Sequence, residues 1–219
     1  MARDGTATRT KIMDAAEALT LDHGFSASSV DRIIERAGVT KGSFFYHFDS
    51  KAALARALVE RYAAADLEHL EGNMARAEAL SRDPLQQLII FVGLFREAAE
   101  ALTEPYPGCL FSSYIHESGL MDSAILDIIQ VTIDRWRKRV GDKIDRAAAL
   151  HPPRLPVDLA SLADMLTVIF EGAFIVSKVM KDPRTVAQQL DHYRNYLELL
   201  FAPADTRTDD TRREVGLDA

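Results

Sequence analysis

Lys41, Gly42 and Ser43 follow directly on Ala37-Gly38-Val39-Thr40, and residue types in that order suit one kind of chemistry. Gly38 can take a positive φ, its small neighbours let two helices cross closely, and Thr40 can cap the helix that follows. The pattern is the sequence form of a helix-turn-helix, whose second helix enters a DNA major groove with its first residues at the base edges. There Lys41 can donate to guanine O6 and N7, Ser43 can donate or accept, and Gly42 lets the backbone come close. Phe44, Phe45, Tyr46, His47 and Phe48 come next. A helix this short buries two or three of those five rings, so the others must face something else. On a DNA reading Phe45 meets thymine methyls, while Tyr46 and His47 reach phosphates that Lys51 also contacts. Ser29, which with Ser28 opens the preceding helix, joins the DNA-facing set. Arg3, Arg9 and Lys11 supply a basic N-terminal arm.

Elsewhere the chemistry is sparse. The single cysteine, Cys109, excludes an intrachain disulfide and a cysteine-based zinc site. No lysine, arginine or histidine adjoins it to stabilise a thiolate, so it reads first as a small apolar filler. His116-Glu117 lacks a second histidine three or four residues away, so no metal site is expected and no cofactor either. Paired carboxylates with a nearby histidine, a nucleophile elbow and a phosphate-cradling glycine loop are all missing, which speaks against an enzyme. Phe91, Phe95, Phe111, Tyr114, Trp136, Phe170 and Phe174 fall on different helices with few polar residues among them. They suit the wall of an apolar pocket, beside Cys109 and with Tyr114, His116 or Glu117 as directing groups.

The elements that must position these residues are helical throughout. Ile12, Ala15, Ala16 and Leu19 repeat at helical spacing up to Gly24, and Val30, Ile33, Ile34 and Ala37 do the same up to Gly38. A short helix then runs over 41–48, and a fourth starts after Ser50 and extends to about residue 72. Asp83-Pro84 opens a fifth helix, and Pro105 and Pro107 break the chain before a short helix from Cys109. A long helix begins near Ser123, another runs from Asp158 to Met180, and the last carries Val186, Leu190, Tyr193, Leu197 and Leu200. The expectation is an all-α fold of about nine helices. It divides into a three-helix head (1–50), a larger ligand-binding and dimerisation body (51–202), and a polar, disordered tail (203–219).

The 219 residues are 47% apolar and 27% charged, as in soluble globular proteins. No run of about 18 consecutive apolar residues and no apolar leader occurs, so the expected location is the cytoplasm, with no membrane partner. The net charge of −7 is unevenly spread. Residues 1–62 hold nine lysines and arginines against eight carboxylates, while the rest of the chain holds 17 against 25. A near-neutral head can therefore sit on DNA while the acidic body stays clear of the phosphates. The helix over 158–180 is apolar on several faces, which a lone subunit cannot cover. With the stripe of the last helix it argues for a homodimer through Leu166, Ala173, Ser177, Val186, Leu190, Tyr193 and Leu197, Gly172 being small enough for close approach. Two-fold symmetry would then present two recognition helices to a palindromic site.

The run from Phe25 to Lys51, centred on Ala37-Gly38-Val39-Thr40-Lys41-Gly42-Ser43-Phe44-Phe45-Tyr46-His47-Phe48, resembles the N-terminal signature of the TetR family of bacterial transcriptional regulators. The match runs without a gap from about Thr8 to Leu58. The resemblance implies a dimeric repressor of palindromic operator DNA, released when a small apolar effector enters the body and shifts the fourth helix. It gives Thr40 the capping role, sets Lys41, Gly42, Ser43 and Phe45 toward bases, and turns Tyr46, His47 and Lys51 toward the backbone. Phe44-Phe45 departs from the family's frequent small aliphatic followed by Tyr, which removes one hydroxyl from the phosphate side. Pro107-Gly108-Cys109-Leu110 resembles a stretch of several such regulators, some of which answer electrophiles or oxidants. Corepressor-dependent or activating regulation, and sensing through Cys109, are the alternatives left open.

Overall fold

The computed structural model describes residues 5–117 and 123–202. Among these residues the chain forms nine helices and no strand: α1 (Gly5–His23), α2 (Val30–Ala37), α3 (Lys41–His47), α4 (Lys51–Leu80), α5 (Pro84–Glu100), α6 (Leu110–Ile115), α7 (Ser123–Leu150), α8 (Leu159–Met180) and α9 (Thr185–Leu200). The expected disordered tail and Arg3 lie outside the described residues.

Side-chain caps set the starts of the helices. The hydroxyls of Ser29, Thr40 and Ser50 accept from the backbone N–H of Arg32, Ser43 and Ala53. Asp83 does the same for Gln86 beside the N-terminal Pro84, and Asp158 for Ala160 and Ser161. Each such cap contributes about 1 kcal/mol. Between α2 and α3, Gly38 stands at φ 64°, and the N–H groups of Gly38 and Val39 return to the carbonyls of Glu35 and Ile34. A side chain at Gly38 would be strained in that conformation, which is why a glycine turns the chain toward α3.

Two apolar cores result, and they do not divide at residue 50. The first joins α1, α2 and α3 to the front half of α4 (Leu54, Leu58, Ala63), to Leu110, Phe111 and Tyr114 of α6, and to Ile125 and Ile129 of α7. The second is built on the back half of α4 (Leu70, Met74, Ala77) with α5, α7, α8 and α9. Helix α4 runs on to Leu80, past the expected end near residue 72, because Leu70, Met74 and Ala77 keep burying one face beyond Gly72. Its 30 residues span about 45 Å. Helix α1 also starts earlier than expected, so Arg9 and Lys11 belong to a helix rather than an arm. The Arg9 guanidinium lies 5.1 Å over the Phe48 ring. Deeper in the body, buried Lys143 donates to Glu78 (2.8 Å) and Gln87 (2.5 Å), tying α7 to α4 and α5.

The expected dimer residues need correcting. Leu166, Ala173, Ser177, Val186, Leu190, Tyr193 and Leu197 are all buried inside the subunit's own core or helix ends. The Tyr193 hydroxyl donates to the Leu162 carbonyl (3.1 Å), and Ser177 Oγ donates to Asp182 O (2.7 Å) to close the end of α8. A regular apolar stripe marks a buried face, but the stripe itself does not say whether the cover comes from the same chain. The face of α8 that the subunit leaves open is the opposite one: Met165, Val168, Ile175, Val176, Val179 and Met180, with Leu199 exposed on α9. Gly172 sits on that face, and nothing lies within 4 Å of where its Cβ would be. By length and composition α8 is also apolar enough to cross a bilayer. Its other face packs into the core, however, and its Asp164 holds Arg137 at 2.6 Å.

Candidate nucleic-acid interface and effector pocket

Helix α3 is anchored by two of its rings and offers the others. Phe44 and Phe48 are buried, their centroids 6.0 Å apart, whereas Tyr46 is 83% exposed and Phe45 43% exposed. Phe45 stands edge-on against Phe44 at 5.2 Å, and His47, half-buried, stands edge-on to Tyr46 at 5.0 Å. The helix is thus pinned through i and i+4 while its i+1 and i+2 positions reach solvent. Lys41 and Gly42 at its N-terminus are exposed, and Ser43 is half-buried. The Lys41 ammonium reaches Asp31 only at 3.8 Å between two largely exposed side chains, a pairing worth little and easily exchanged for DNA. Ser29 is exposed beside this face.

Lys51 does not fit the expected phosphate role. Its ammonium donates to the carbonyl of Phe25 (2.6 Å) and, at 3.3 Å, to that of Ser26, and it lies 4.3 Å over the Phe25 ring. Partial burial lowers its pKa, while the Glu117 carboxylate opposes that shift. It clasps the turn between α1 and α2 against α4. Lys51→Gln is therefore expected to cost about 1 kcal/mol, or 2–4 °C in Tm. It should leave the salt dependence of DNA binding unchanged. A phosphate contact would instead flatten the log–log salt slope by about 0.9 per head.

The same turn receives Glu117 from the body. Glu117 Oε2 accepts from Ser26 N–H (2.6 Å) and Ser26 Oγ–H (2.5 Å), and a Cβ on Gly24, at φ 84°, would stand 2.5 Å from Oε1. Tyr114 lies tilted against Phe25 with centroids 4.9 Å apart, and Phe111 meets Tyr62 edge-on at 4.9 Å. From α8, Lys178 donates to the carbonyls of Leu21 (3.2 Å) and Pro107 (3.3 Å). Phe111, Tyr114 and Glu117, expected in the pocket, therefore join body to head, and His116 is exposed. The six-residue α6 turns its apolar side toward α1 and α4, a direction its sequence does not reveal.

The remaining aromatic residues expected to line a pocket pack against one another. Phe91, Phe95, Trp136, Phe170 and Phe174 form a chain of rings with neighbouring centroids 5.2 to 6.4 Å apart, and Tyr106 extends it by stacking on Phe174 at 4.7 Å. Polar groups that the sequence reading missed border this array. Asp66 Oδ2 accepts from the Trp136 indole N–H at 2.5 Å, and Glu171 Oε2 accepts from Ser112 Oγ–H at 2.5 Å. Burial pushes the Asp66 carboxyl up, against the Trp136 hydrogen bond, and nearby Glu171 adds to the rise. Asp66 follows Leu58 and Tyr62 at intervals of four along the inward stripe of α4, and a carboxylate in that register is a signal the sequence does carry. Two grooves lie outside the array, one at the head–body seam by Asp14, Glu17 and Arg61, the other along α7 by Leu126, Ile133 and Arg137.

Cys109 sits at the array's edge, where burial and the Glu171 charge push its thiol up to about 12. At neutral pH it is a thiol, unlike a sensor cysteine held as thiolate by a cation. The loss of thiolate, partly offset by the higher basicity of what remains, should slow alkylation by iodoacetamide at pH 7.5 roughly a hundredfold relative to a free thiol. Rapid modification that abolishes DNA binding would restore the sensing alternative.

A three-helix head with an exposed recognition helix, carried on a helical body, defines a helix-turn-helix DNA-binding protein. The comparisons with known proteins agree. Residues 12–58 match the family of bacterial regulatory proteins, tetR family, and residues 84–193 match the tetracyclin repressor-like C-terminal domain. The chain belongs to the TetR family of transcriptional regulators. It is 27% identical over 169 residues to the transcriptional regulator AcuR of Cereibacter sphaeroides, covering 74% of this chain and 72% of that one. It is 26% identical over 186 residues to the HTH-type transcriptional repressor DhaR of Mycobacterium sp. (strain GP1), covering 84% and 89%. A TetR-family regulator from Agrobacterium tumefaciens shares the fold at TM-score 0.73 and 21% identity, over 91% of this chain and all of that one.

Proposed function

We propose that this regulator is a cytoplasmic homodimeric repressor that holds a palindromic operator through two copies of α3 and releases it when a small effector enters the body. The observation that carries the reading is the division of labour within α3. Phe44 and Phe48 fix the helix, while Lys41, Phe45 and Tyr46 are left to solvent. In the groove Lys41, Gly42 and Ser43 meet base edges, Phe45 meets thymine methyls, and Tyr46 and His47 hold phosphates, with Ser29 beside them. A second copy of the chain covers the open apolar stripe of α8 from Met165 to Met180, with Gly172 permitting close approach.

The effector enters at the ring array of α5, α7 and α8. Helices α4 and α6 both border that array and both contribute to the head core, so a shift of either moves α1 to α3. Glu117 on Ser26 and Lys178 on Leu21 add polar ties across the same seam. An effector that favours the DNA-incompetent arrangement by 1–3 kcal/mol would loosen the operator about 5- to 150-fold. The test is an operator titration with and without the small-molecule fraction of the source cells. Loosening within that range supports effector release, tightening would make the ligand a corepressor, and unchanged affinity would contradict ligand control.

A further inference from the structure

The ring array and its two carboxylates point to the charge of the ligand. We propose that the body site takes an organic cation, an ammonium or similar centre carrying apolar groups, seated against Phe95, Trp136 and Phe170 with Asp66 and Glu171 as its counter-charges. The inference rests on the effector reading above and names the chemical class that reading leaves open.

Two observations carry it. The rings come from three helices and, apart from buried Phe91, are half-buried, so the array keeps some exposure to solvent. An aromatic face is the negative pole of the ring quadrupole and attracts a cation, most strongly for tryptophan and where water is excluded. The second observation is the state of the carboxylates. Elsewhere on the same helices, acidic side chains hold cations: Glu71 and Glu78 hold Arg139, Glu78 holds buried Lys143, and Asp164 holds Arg137. Asp66 and Glu171 are held instead by neutral donors, the Trp136 indole and the Ser112 hydroxyl. Among the described residues no lysine or arginine forms an ion pair with either one, and exposed His69, three residues along α4, faces Asp66. A half-buried carboxylate beside a second one is costly to keep charged. A bound cation would relieve both at once, whereas an anion would add a third negative charge to the site.

Trp136 is the only tryptophan, so its fluorescence reports on this site alone. The full-length protein should be titrated with a small and a large cation, benzyltrimethylammonium and tetraphenylphosphonium. Each is compared with an anion of similar size, phenylacetate and tetraphenylborate. Saturable quenching by a cation, with at least roughly tenfold preference over its anionic counterpart, is the expected result. Asp66→Asn with Glu171→Gln keeps hydrogen-bonding groups in both places and should weaken that cation roughly tenfold or more, with helicity and Tm unchanged. Binding of neither cation, equal binding of the anion, or an unaffected double variant would overturn the proposal. Operator affinity read in the same titrations separates the two layers. A cation that binds with this charge dependence yet leaves operator affinity unchanged supports the site and contradicts ligand control. Release by a neutral or anionic compound that competes at Trp136 overturns the cation site and leaves ligand control standing.

Discussion

A chain carrying Val168→Glu and Ile175→Glu is expected to run as a folded monomer and to bind operator DNA one hundred to ten thousand times more weakly, about 10²–10⁴-fold. Val168 and Ile175 are 68% and 62% exposed, so the subunit gains almost nothing from them, and glutamate is the better helix former. Helical content and Tm of the separated subunit should therefore hold. In a dimer built on this stripe, the substitutions instead place four like charges where apolar side chains would meet, and the dimer cannot carry them dry. The large loss on DNA follows from linkage. Once one head is bound, a tethered second head faces its half-site at high effective concentration, and a monomer forfeits that advantage. Size-exclusion chromatography with light scattering, beside an operator titration, checks both halves. A variant that stays dimeric would move the interface off α8.

The second large effect belongs to α3. Lys41→Ala with Tyr46→Ala should lower operator affinity at least about a hundredfold while dimer mass, helicity and effector binding stay as they were. Neither side chain supports the head: Tyr46 is 83% exposed, and Lys41 touches only an exposed Asp31 at 3.8 Å. A good base contact carries about 1–3 kcal/mol of discrimination. A dimer loses this Lys41 base contact and the Tyr46 phosphate contact twice each, so a hundredfold is the lower end. Retained affinity in this variant would take α3 out of the DNA interface. A finer reading comes from Phe45. Replacing thymine by uracil at the contacted step removes only a methyl, and should weaken the parent protein more than Phe45→Ala.

How far the sequence spoke for the structure depended on how local each signal was. The turn at 37–40, the caps at Ser29, Thr40, Ser50, Asp83 and Asp158, and the surplus of rings in α3 are decided within a few residues, and the chain shows them directly. Direction was not legible. The 4, 3, 4, 3 stripe of α9 announces a buried face and is buried by its own subunit, while α8 leaves its second apolar face open. Lys51 follows a recognition helix as a phosphate contact would, yet its ammonium turns back to carbonyls some 25 residues earlier in the chain. Glu117 lies 91 residues from Ser26, and Ser112 lies 59 from Glu171. Pairs that far apart leave no periodicity to read. Asp66, in step with the apolar stripe of α4, is the exception, because a carboxylate there needs a local reason.

The most direct test of specific operator binding is a selection of sheared DNA from the source genome on the purified protein, at low and near-physiological salt, followed by sequencing. The account predicts enrichment of one palindromic site whose half-sites lie a helical turn, or a multiple of it, apart, with the preference persisting as salt rises. Binding that carries no sequence preference and disappears with salt would be phosphate attraction alone, and would contradict it.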